Sequence, residues 1–343
     1  MTRFFGELGL GISKQDLRDA DSVCSGVART LLATCVPANV LSEYIFQSKI
    51  KSGISGIIFR GKRATKTSET DFAMKIIPVH GYRHDGDRSG KRKWKLGIPG
   101  EETMESTNEY AVRREFKNHT VISEELRKPA NKHHAFKIPM VHGKLGWHVS
   151  KHRVRKFAVY MMDFVKGESN VSQFKYSIIP EILDCIHAMG FVHGDLHSAN
   201  LSVMNGETSV FDFGRTIDLY ESPMKNNRYN RIVARLLDFV SPAGSILMEP
   251  GNRFHRADFA VYMRAMQPAL AKLDDEIVCL ESSGNRVLTA FGRDFRELFL
   301  PQKTISRAEW KHKDELTMGL MMAKAYKVRG HSLCHFDMVE GGF

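Results

Sequence analysis

The sequence is poor in cysteine and contains no long apolar run. Its cysteines are Cys24, Cys35, Cys185, Cys279 and Cys334. They are odd in number, lie far apart and form no Cys-x-x-Cys pair, which argues against a disulfide scaffold or a zinc site. Reduced thiols favour an intracellular location, in the cytoplasm or nucleus. No apolar stretch approaches the roughly 20 residues that cross a membrane, so we expect no membrane span.

Internal repeats and low-complexity tracts are also absent, which leaves an ordinary globular composition. The chain has 343 residues, of which 42% are hydrophobic and 26% are charged. This length permits one two-lobed domain or two small domains. The formal net charge of +11 favours an acidic partner, such as a nucleotide, a nucleic acid, an anionic membrane or an acidic protein surface.

One stretch carries most of the functional information: FVHGDLHSANL at positions 191–201, followed by VFDFG at positions 210–214. It places Asp195 five residues before Asn200, with Asp212 a short hairpin later. Phosphoryl transfer uses such a set, because one carboxylate orients the attacking hydroxyl while an amide and a second carboxylate hold Mg²⁺. The stretch resembles the catalytic loop and the Asp-Phe-Gly motif of the protein kinase-like superfamily.

This resemblance implies an α+β, bilobal kinase-like fold, with a small β-rich N-lobe and a mostly helical C-lobe. It also implies ATP and Mg²⁺ as cofactors, with Asn200 and Asp212 as metal ligands and Asp195 as the residue that orients the substrate hydroxyl. His193 is interpreted as a structural residue that packs beneath the loop. The expected divisions are a helical extension over 1–46, an N-lobe over 47–163 and a C-lobe over 164–343.

The pattern along the chain agrees with this order, because strands precede helices. Apolar spacing predicts a helix over 13–34, packed on the main domain, and strands within 48–79. A polar, basic surface insertion is expected over 80–103, and helices over 105–127 and 174–189. Strand-like runs occupy 138–141 and 157–162, and further helices are expected near 231–240, 257–266, 286–300 and 315–326.

The upstream parts of a phosphate site follow from the resemblance. Lys75, in Ala-Met-Lys-Ile-Ile, resembles the third-strand lysine that contacts the α- and β-phosphates and a helix glutamate. Glu109 and Glu115 are the candidate partners, and we choose Glu115. Gly53 and Gly56 match two of the three glycines of a kinase glycine-rich loop.

Two further segments are similar to parts of kinases. Met-Met-Asp-Phe-Val resembles the hinge where adenine docks, which implies that Met162 is the gatekeeper and that backbone groups near Asp163 and Val165 bind the base. Asp258 is similar to the helix aspartate of small atypical kinases that bonds the catalytic-loop backbone.

Gly194 and His197 depart from the protein kinase pattern. Gly194 replaces the arginine that receives an activation-loop phosphate, so we expect activity without phosphorylation of Thr216, Tyr220 or Ser222. His197 stands where serine/threonine kinases place a lysine. The resulting loop, His-Gly-Asp-Leu-His-x-x-Asn, is similar to that of aminoglycoside and choline kinases. No Ala-Pro-Glu motif follows, so the peptide-docking platform is not predicted.

These features favour a divergent serine/threonine protein kinase acting on a protein substrate, for which the basic charge suits an acidic surface. Compact kinases of this kind occur in viruses and bacterial effectors, where the host cell would be the site of action. A small-molecule kinase and a non-enzymatic pseudokinase scaffold are the alternatives. A nucleic-acid-binding protein is the least favoured, because the basic patches lack interleaved aromatic residues.

Overall fold

The computed structural model describes residues 29–53, 56–79, 93–94, 104–105, 108–131, 134–149, 156–165, 176–196, 200–221, 227–248 and 256–299. The chain divides into two compact units. Unit 1 contains the described residues up to Pro129 and those from Ile138 to Val165, and unit 2 contains those of Ala130–Lys137 and those from Tyr176 onward.

The strands in the described residues are β1 (Tyr44–Gly53), β2 (Gly56–Ala64), β3 (Glu69–Val79), β4 (Lys93–Trp94), β5 (Met104–Glu105), β6 (Phe136–Lys137), β7 (Val141–Val149), β8 (Lys156–Asp163), β9 (Phe191–Val192), β10 (Leu201–Met204), β11 (Glu207–Val210) and β12 (Ile217–Asp218). The α-helices are α1 (Glu109–Leu126), α2 (Ile179–Ala188), α3 (Arg228–Met248), α4 (Arg256–Ala271), α5 (Asp274–Glu281) and α6 (Arg286–Phe299). The protein is therefore a mixed α+β chain, and no helix among the described residues is long and apolar enough to cross a membrane.

Unit 1 is built on a five-stranded antiparallel sheet with the order β1-β2-β3-β8-β7. The central strand β3 is buried on both faces, as its apolar run predicts. Phe72, Met74 and Ile76 pack on one face, whereas Ala73 and Ile77 pack on the other. This alternation puts Lys75 on the same face as Ala73 and Ile77.

The predicted boundary at residue 46 falls inside β1. Strand β1 begins at Tyr44, and the residues before it are already part of the core of unit 1. Leu31 and Leu32 are buried against the β3 face that carries Phe72. The expectation that this extension packs on the main domain is confirmed for its described part, and residues 1–28 of the predicted extension lie outside the described residues.

Helix α1 covers the face of the sheet that carries Lys75. The Asn108 side chain caps its first turn by accepting the N–H of Ala111 at 2.7 Å. Its buried positions recur at helical spacing: Val112, Glu115, Asn118, His119, Ile122, Ser123 and Leu126. The buried stripe thus includes a carboxylate, Glu115. The helix predicted over 105–127 is confirmed in shorter form.

After the short segment Ala130–Lys137, unit 2 continues with α2, which was predicted over 174–189 and ends before Gly190, a residue with φ +85°. Strand β9 follows and pairs with β12. Strands β10 and β11 form a hairpin closed by Asn205 and Gly206, and β6 pairs with β11 in parallel.

Helices α3–α6 complete the described part of unit 2. The helices predicted near 231–240, 257–266 and 286–300 are present, and the one near 315–326 lies outside the described residues. Most of the predicted insertion over 80–103 also lies outside them, apart from Lys93–Trp94, which pairs with Met104–Glu105.

Candidate functional site

A buried ion pair lies on the helix-covered face of the sheet in unit 1. Lys75 Nζ donates to Glu115 Oε1 at 2.6 Å. Lys75 is 5% exposed and Glu115 is 6% exposed. Desolvation of two charges is costly, so each must be held by its partner and by further hydrogen bonds. The predicted pairing of these two residues is therefore present in the structure.

Tyr160 is a third member of this group, and it was not predicted. It lies on β8 directly opposite Lys75, and its hydroxyl donates to the same Glu115 Oε1 at 2.7 Å. Tyr160 is 1% exposed. The only signal in the sequence is a hydroxyl within the apolar run Phe-Ala-Val-Tyr-Met-Met.

Glu109, the other candidate partner of Lys75, has different contacts. Its carboxylate pairs with Lys156 and with Arg113, the latter at 2.5 Å. The hydrogen bonds from Lys156 and then Arg113 lower the pKa of Glu109. Arg113 and Lys156 also lie over the ring of Trp147, so this cluster joins α1 to β7 and β8.

The two glycines of the predicted phosphate loop lie at the turn of the β1–β2 hairpin. Gly53 and Gly56 are register partners at the ends of β1 and β2, and residues 54–55 lie outside the described residues. A Cβ on Gly56 would lie 2.5 Å from the carbonyl oxygen of Ile76. Gly56 is therefore required by the packing of the sheet, whether or not a phosphate binds nearby.

The predicted hinge lies at the end of β8. Met162 is buried in the apolar cluster that contains Ala73. The backbone N–H of Asp163 donates to the carbonyl of Met140 at 2.9 Å, so it is not a donor for a base. The backbone groups that could still bind an adenine base, as predicted, are therefore others near this point, such as those of Val165.

The side chain of Asp163 ties the end of β8 to its neighbours. Its carboxylate accepts the Met140 N–H at 3.0 Å and hydrogen bonds from His142 and Arg127 at 2.5 and 2.6 Å. Burial alone would raise the pKa of Asp163, but the bonds from His142 and Met140 outweigh it and lower the pKa. Asp163 therefore acts as an ionised anchor for this segment.

In unit 2, hydrogen bonds link Asp195 to Asn200, and Asn200 to the residue before Asp212. The Asn200 side-chain amide donates to the Asp195 carbonyl at 2.9 Å. The backbone carbonyl of Asn200 in turn accepts the N–H of Phe211, the residue before Asp212, at 2.8 Å. Asn200 is buried and Asp195 is partly exposed. The fold thus gathers Asp195, Asn200 and Asp212 into one region of unit 2.

The backbone of Asp212 is strained. Its φ of 59° and ψ of 73° lie in the left-handed region, which residues other than glycine rarely adopt. The next residue, Phe213, is fully buried and its ring lies 5.1 Å from that of His193. Strain of this kind persists where the surrounding structure holds it, and it is common at functional sites.

His193 supports the loop from below, as predicted. It is fully buried, and its Nε2–H donates to the Phe211 carbonyl at 3.1 Å while Nδ1 accepts the Asp195 N–H at 3.3 Å. Burial lowers the pKa of His193, which favours the neutral ring that these two bonds require. His193 is therefore a structural residue.

The carboxylate that bonds the loop backbone belongs to Asp238, on α3. It accepts the N–H of His193 at 2.8 Å and that of Gly194 at 2.7 Å. His187 Nε2 contributes a third hydrogen bond at 3.0 Å. This role was predicted for Asp258, which lies on α4 and whose side chain is outside the described residues, but Asp238 on α3 performs it.

Arg215 brings a positive charge to the predicted base. Its NH1 lies 3.4 Å from Asp195 Oδ1, and its side chain is 63% exposed. Its carbonyl oxygen would lie 2.5 Å from a Cβ on Gly194, which has φ +75°. This close approach and this backbone conformation both require glycine at position 194.

The donor set in unit 2 fits magnesium better than a transition metal. Among the residues that the structure describes, no group of three or more His, Cys, Asp or Glu side chains could hold a metal. Asn200 offers an amide oxygen and Asp212 a carboxylate, both of them oxygen donors. Mg²⁺ commonly binds to such a set, because it retains water and takes its other ligands from substrate phosphates.

Comparisons of the sequence with protein-family models and with curated proteins found no match. The kinase-like features consequently depend on two groups of residues, each described within its own unit. Lys75 and Glu115 belong to unit 1, whereas Asp195, Asn200 and Asp212 belong to unit 2.

Proposed function

We propose that the protein is an ATP- and Mg²⁺-dependent phosphotransferase with a kinase-like bilobal fold, and that it acts as a divergent serine/threonine protein kinase inside a cell. The hydrogen-bonded connection of Asp195, Asn200 and the segment before Asp212 is the observation that carries this proposal. The buried Lys75–Glu115 pair supports it, because a buried lysine needs a reason to be there.

In this proposal unit 1 binds the nucleotide. Lys75 contacts the α- and β-phosphates, and Glu115 holds its ammonium group in position. Gly53 and Gly56 let backbone N–H groups approach phosphate oxygens. Met162 and the backbone near Val165 contact the base.

Unit 2 carries the transfer step. Asp195 orients the substrate hydroxyl and accepts its proton as the oxygen attacks the γ-phosphorus and the bond to the β-phosphate oxygen breaks, so that ADP leaves. Asn200 and Asp212 would hold Mg²⁺, which neutralises charge on the phosphates when bound. Arg215 adds a second positive charge beside Asp195.

A small-molecule kinase is the second candidate. His197 and the lack of an Ala-Pro-Glu motif favour it, because both are features of loops similar to those of aminoglycoside and choline kinases. The net charge of +11 favours the protein kinase, since a cationic small alcohol would be repelled by a basic protein.

A labelled-ATP transfer assay with Mg²⁺ tests the proposal, with generic protein acceptors and a panel of small alcohols. We expect label on protein, with a loss of about 100-fold to 10,000-fold in Asp195→Ala. Asp212→Ala should be equally inactive and should lose the Mg²⁺ dependence of ATP binding. Asp184→Ala is the control, because Asp184 is a surface aspartate that pairs with Lys272.

Each outcome of this assay separates the candidates. Label on protein that disappears in both variants supports the protein kinase. Transfer to small alcohols alone replaces it with the second candidate. Binding of ATP without any transfer indicates a pseudokinase scaffold and overturns the proposed activity.

A further inference from the structure

Glu115 receives two hydrogen bonds on one oxygen, and the second of them is unrelated to phosphate binding. Oε1 accepts Lys75 Nζ at 2.6 Å and the Tyr160 hydroxyl at 2.7 Å. Charged acceptors form stronger hydrogen bonds than neutral ones. Tyr160 therefore holds the carboxylate even where Lys75 turns to another partner.

The ring of Tyr160 also contacts α1 at two further positions. Phe116 meets it edge to face at 5.7 Å, and His119 does so at 6.2 Å. His119 is in turn fixed, because its Nε2–H donates to the Pro139 carbonyl at 2.8 Å. Three residues of one helix thus contact a single tyrosine of the sheet.

The position of Tyr160 is fixed by the sheet itself. It lies on β8, which is paired on both sides by β3 and β7, and it is the register partner of Lys75. The donor and the ammonium therefore come from adjacent strands and meet the same carboxylate of α1. Movement of α1 away from the sheet would break both bonds and leave a buried hydroxyl without its acceptor.

We propose that Tyr160 is a positioning residue that locks α1 onto the sheet and presets the Lys75–Glu115 pair before nucleotide binds. The protein would then need no separate event to bring Glu115 to Lys75. The kinetic consequence of this lock depends on the proposed function, whereas the lock itself is a property of unit 1.

Hydrogen–deuterium exchange of the full chain tests the lock without any assay of activity. Tyr160→Phe removes the hydroxyl and keeps the ring, so the packing against Phe116 is retained. We expect amides of α1 to exchange about 10-fold faster in this variant, as loss of a hydrogen bond to a charged group implies. Unchanged exchange in α1 would overturn the proposal.

Tyr44→Phe is the matched control. Tyr44 is also a buried tyrosine of unit 1, but it belongs to the other apolar cluster, where its ring meets Phe72. In the Tyr44→Phe variant, the amides of α1 should exchange at the same rate as in the unmodified protein. Faster exchange of α1 in both variants would mean general loosening of unit 1 and would count against a specific lock.

A double-mutant cycle on ATP transfer tests the positioning role. We expect Tyr160→Phe to lower kcat/KM for ATP by about 10-fold, and Glu115→Gln to lower it further. If Tyr160 acts through Glu115, the double variant should equal Glu115→Gln alone. Additive losses would show that Tyr160 acts by another route and would overturn its role as a positioning residue.

The two measurements distinguish a failure of the proposed function from a failure of the proposed lock. An unmodified protein that transfers no phosphate contradicts the proposed function, and hydrogen exchange then decides the lock by itself. An active protein with unchanged α1 exchange in Tyr160→Phe contradicts the lock and leaves the proposed function standing.

Discussion

The buried carboxylate of Asp238 accepts the backbone N–H of Gly194 at 2.7 Å, across 44 residues of sequence. Its other oxygen accepts the N–H of His193. Burial alone would raise the pKa of Asp238, but the hydrogen bond and charge of His187, with the bond from Gly194, outweigh it and lower the pKa. An ionised aspartate on α3 thus fixes the backbone of the two residues that precede Asp195.

Removal of this carboxylate should destabilise unit 2 and disorder the loop. Asp238→Ala leaves the N–H groups of His193 and Gly194 without their acceptor, and it leaves His187 without its partner. A buried N–H group left without an acceptor costs about 1 to 3 kcal/mol, and this variant leaves two of them. Urea unfolding should show this decrease in the free energy of unfolding.

Asp184→Ala is the control for that measurement. Asp184 pairs with Lys272, but its side chain is 42% exposed, and surface pairs contribute about 1 kcal/mol or less. Equal losses for the two variants would contradict the anchoring role of Asp238.

Glycine at position 194 should be required for two separate reasons. Gly194→Ala must adopt φ +75° and must also place a Cβ against the Arg215 carbonyl. Gly206→Ala is the matched control, because Gly206 has φ +81° and nothing lies within 4 Å of its Cβ position. We expect the control to cost about 1 kcal/mol through backbone strain alone.

The excess cost of Gly194→Ala over Gly206→Ala then measures the clash. We expect a free energy of unfolding lower by at least about 1 kcal/mol more than in the control, together with loss of phosphate transfer. Thermal or urea unfolding of the two variants gives this difference directly. Equal costs would show that the loop moves away from Arg215 without penalty.

The local parts of the candidate site could be predicted from the sequence. The alternation of apolar residues in β3 put Lys75 on one face, and helical spacing put Glu115 on the buried stripe of α1. The short segment from Asp195 to Asp212 kept its residues together because the β10–β11 hairpin closes it. In each case one element or one hairpin determines the geometry.

Contacts between distant elements could not be predicted in this way. Asp238 and Asp258 both lie on apolar helices, and only the packing of α3 beside the loop distinguishes them. The hydroxyl of Tyr160 is hidden in an apolar strand whose register with β3 is set by pairing. The start of β1 at Tyr44 was missed because a short helical turn, Ala38–Glu43, leads directly into the strand with no turn residue between them.

The segment after the Asp-Phe-Gly motif should not need phosphorylation. Thr216 is fully buried, and its Oγ1 donates to the His193 carbonyl at 3.4 Å, so its hydroxyl is not accessible to a kinase. Tyr220 is 67% exposed, and Ser222 lies outside the described residues. Gly194 offers no guanidinium to receive a phosphate at this loop.

Conservative substitutions test this independence. Tyr220→Phe and Ser222→Ala should keep phosphate transfer within about twofold of the unmodified protein. Thr216→Val should also remain active, because valine has nearly the same shape and the lost bond is long. Mass spectrometry of active protein should find no phosphate at position 216. Loss of transfer in the tyrosine or serine variant would contradict the prediction.

Acidification should destabilise the loop that carries Asp195 through His193. Burial lowers the pKa of this ring in the folded protein, against the opposing charge of Asp238, whereas an unfolded histidine has a pKa of about 6.5. Between the lowered value and about pH 6.5 the unfolded chain binds more protons, so the free energy of unfolding falls as the pH falls. The contribution of Asp238 has the same sign, but it is lost only as the pH falls below about 4, the unfolded value of an aspartate.

The two contributions can therefore be separated by pH. Urea unfolding at pH 7, 6 and 5 should give a shallower decline in His193→Gln than in the unmodified protein, because glutamine does not titrate. The variant is expected to be less stable at pH 7, since the bond to the Phe211 carbonyl is altered, but the comparison uses slopes and not absolute values. Identical slopes would mean that His193 takes up its proton equally in the folded and unfolded states, and that burial beneath the loop does not hold the ring neutral.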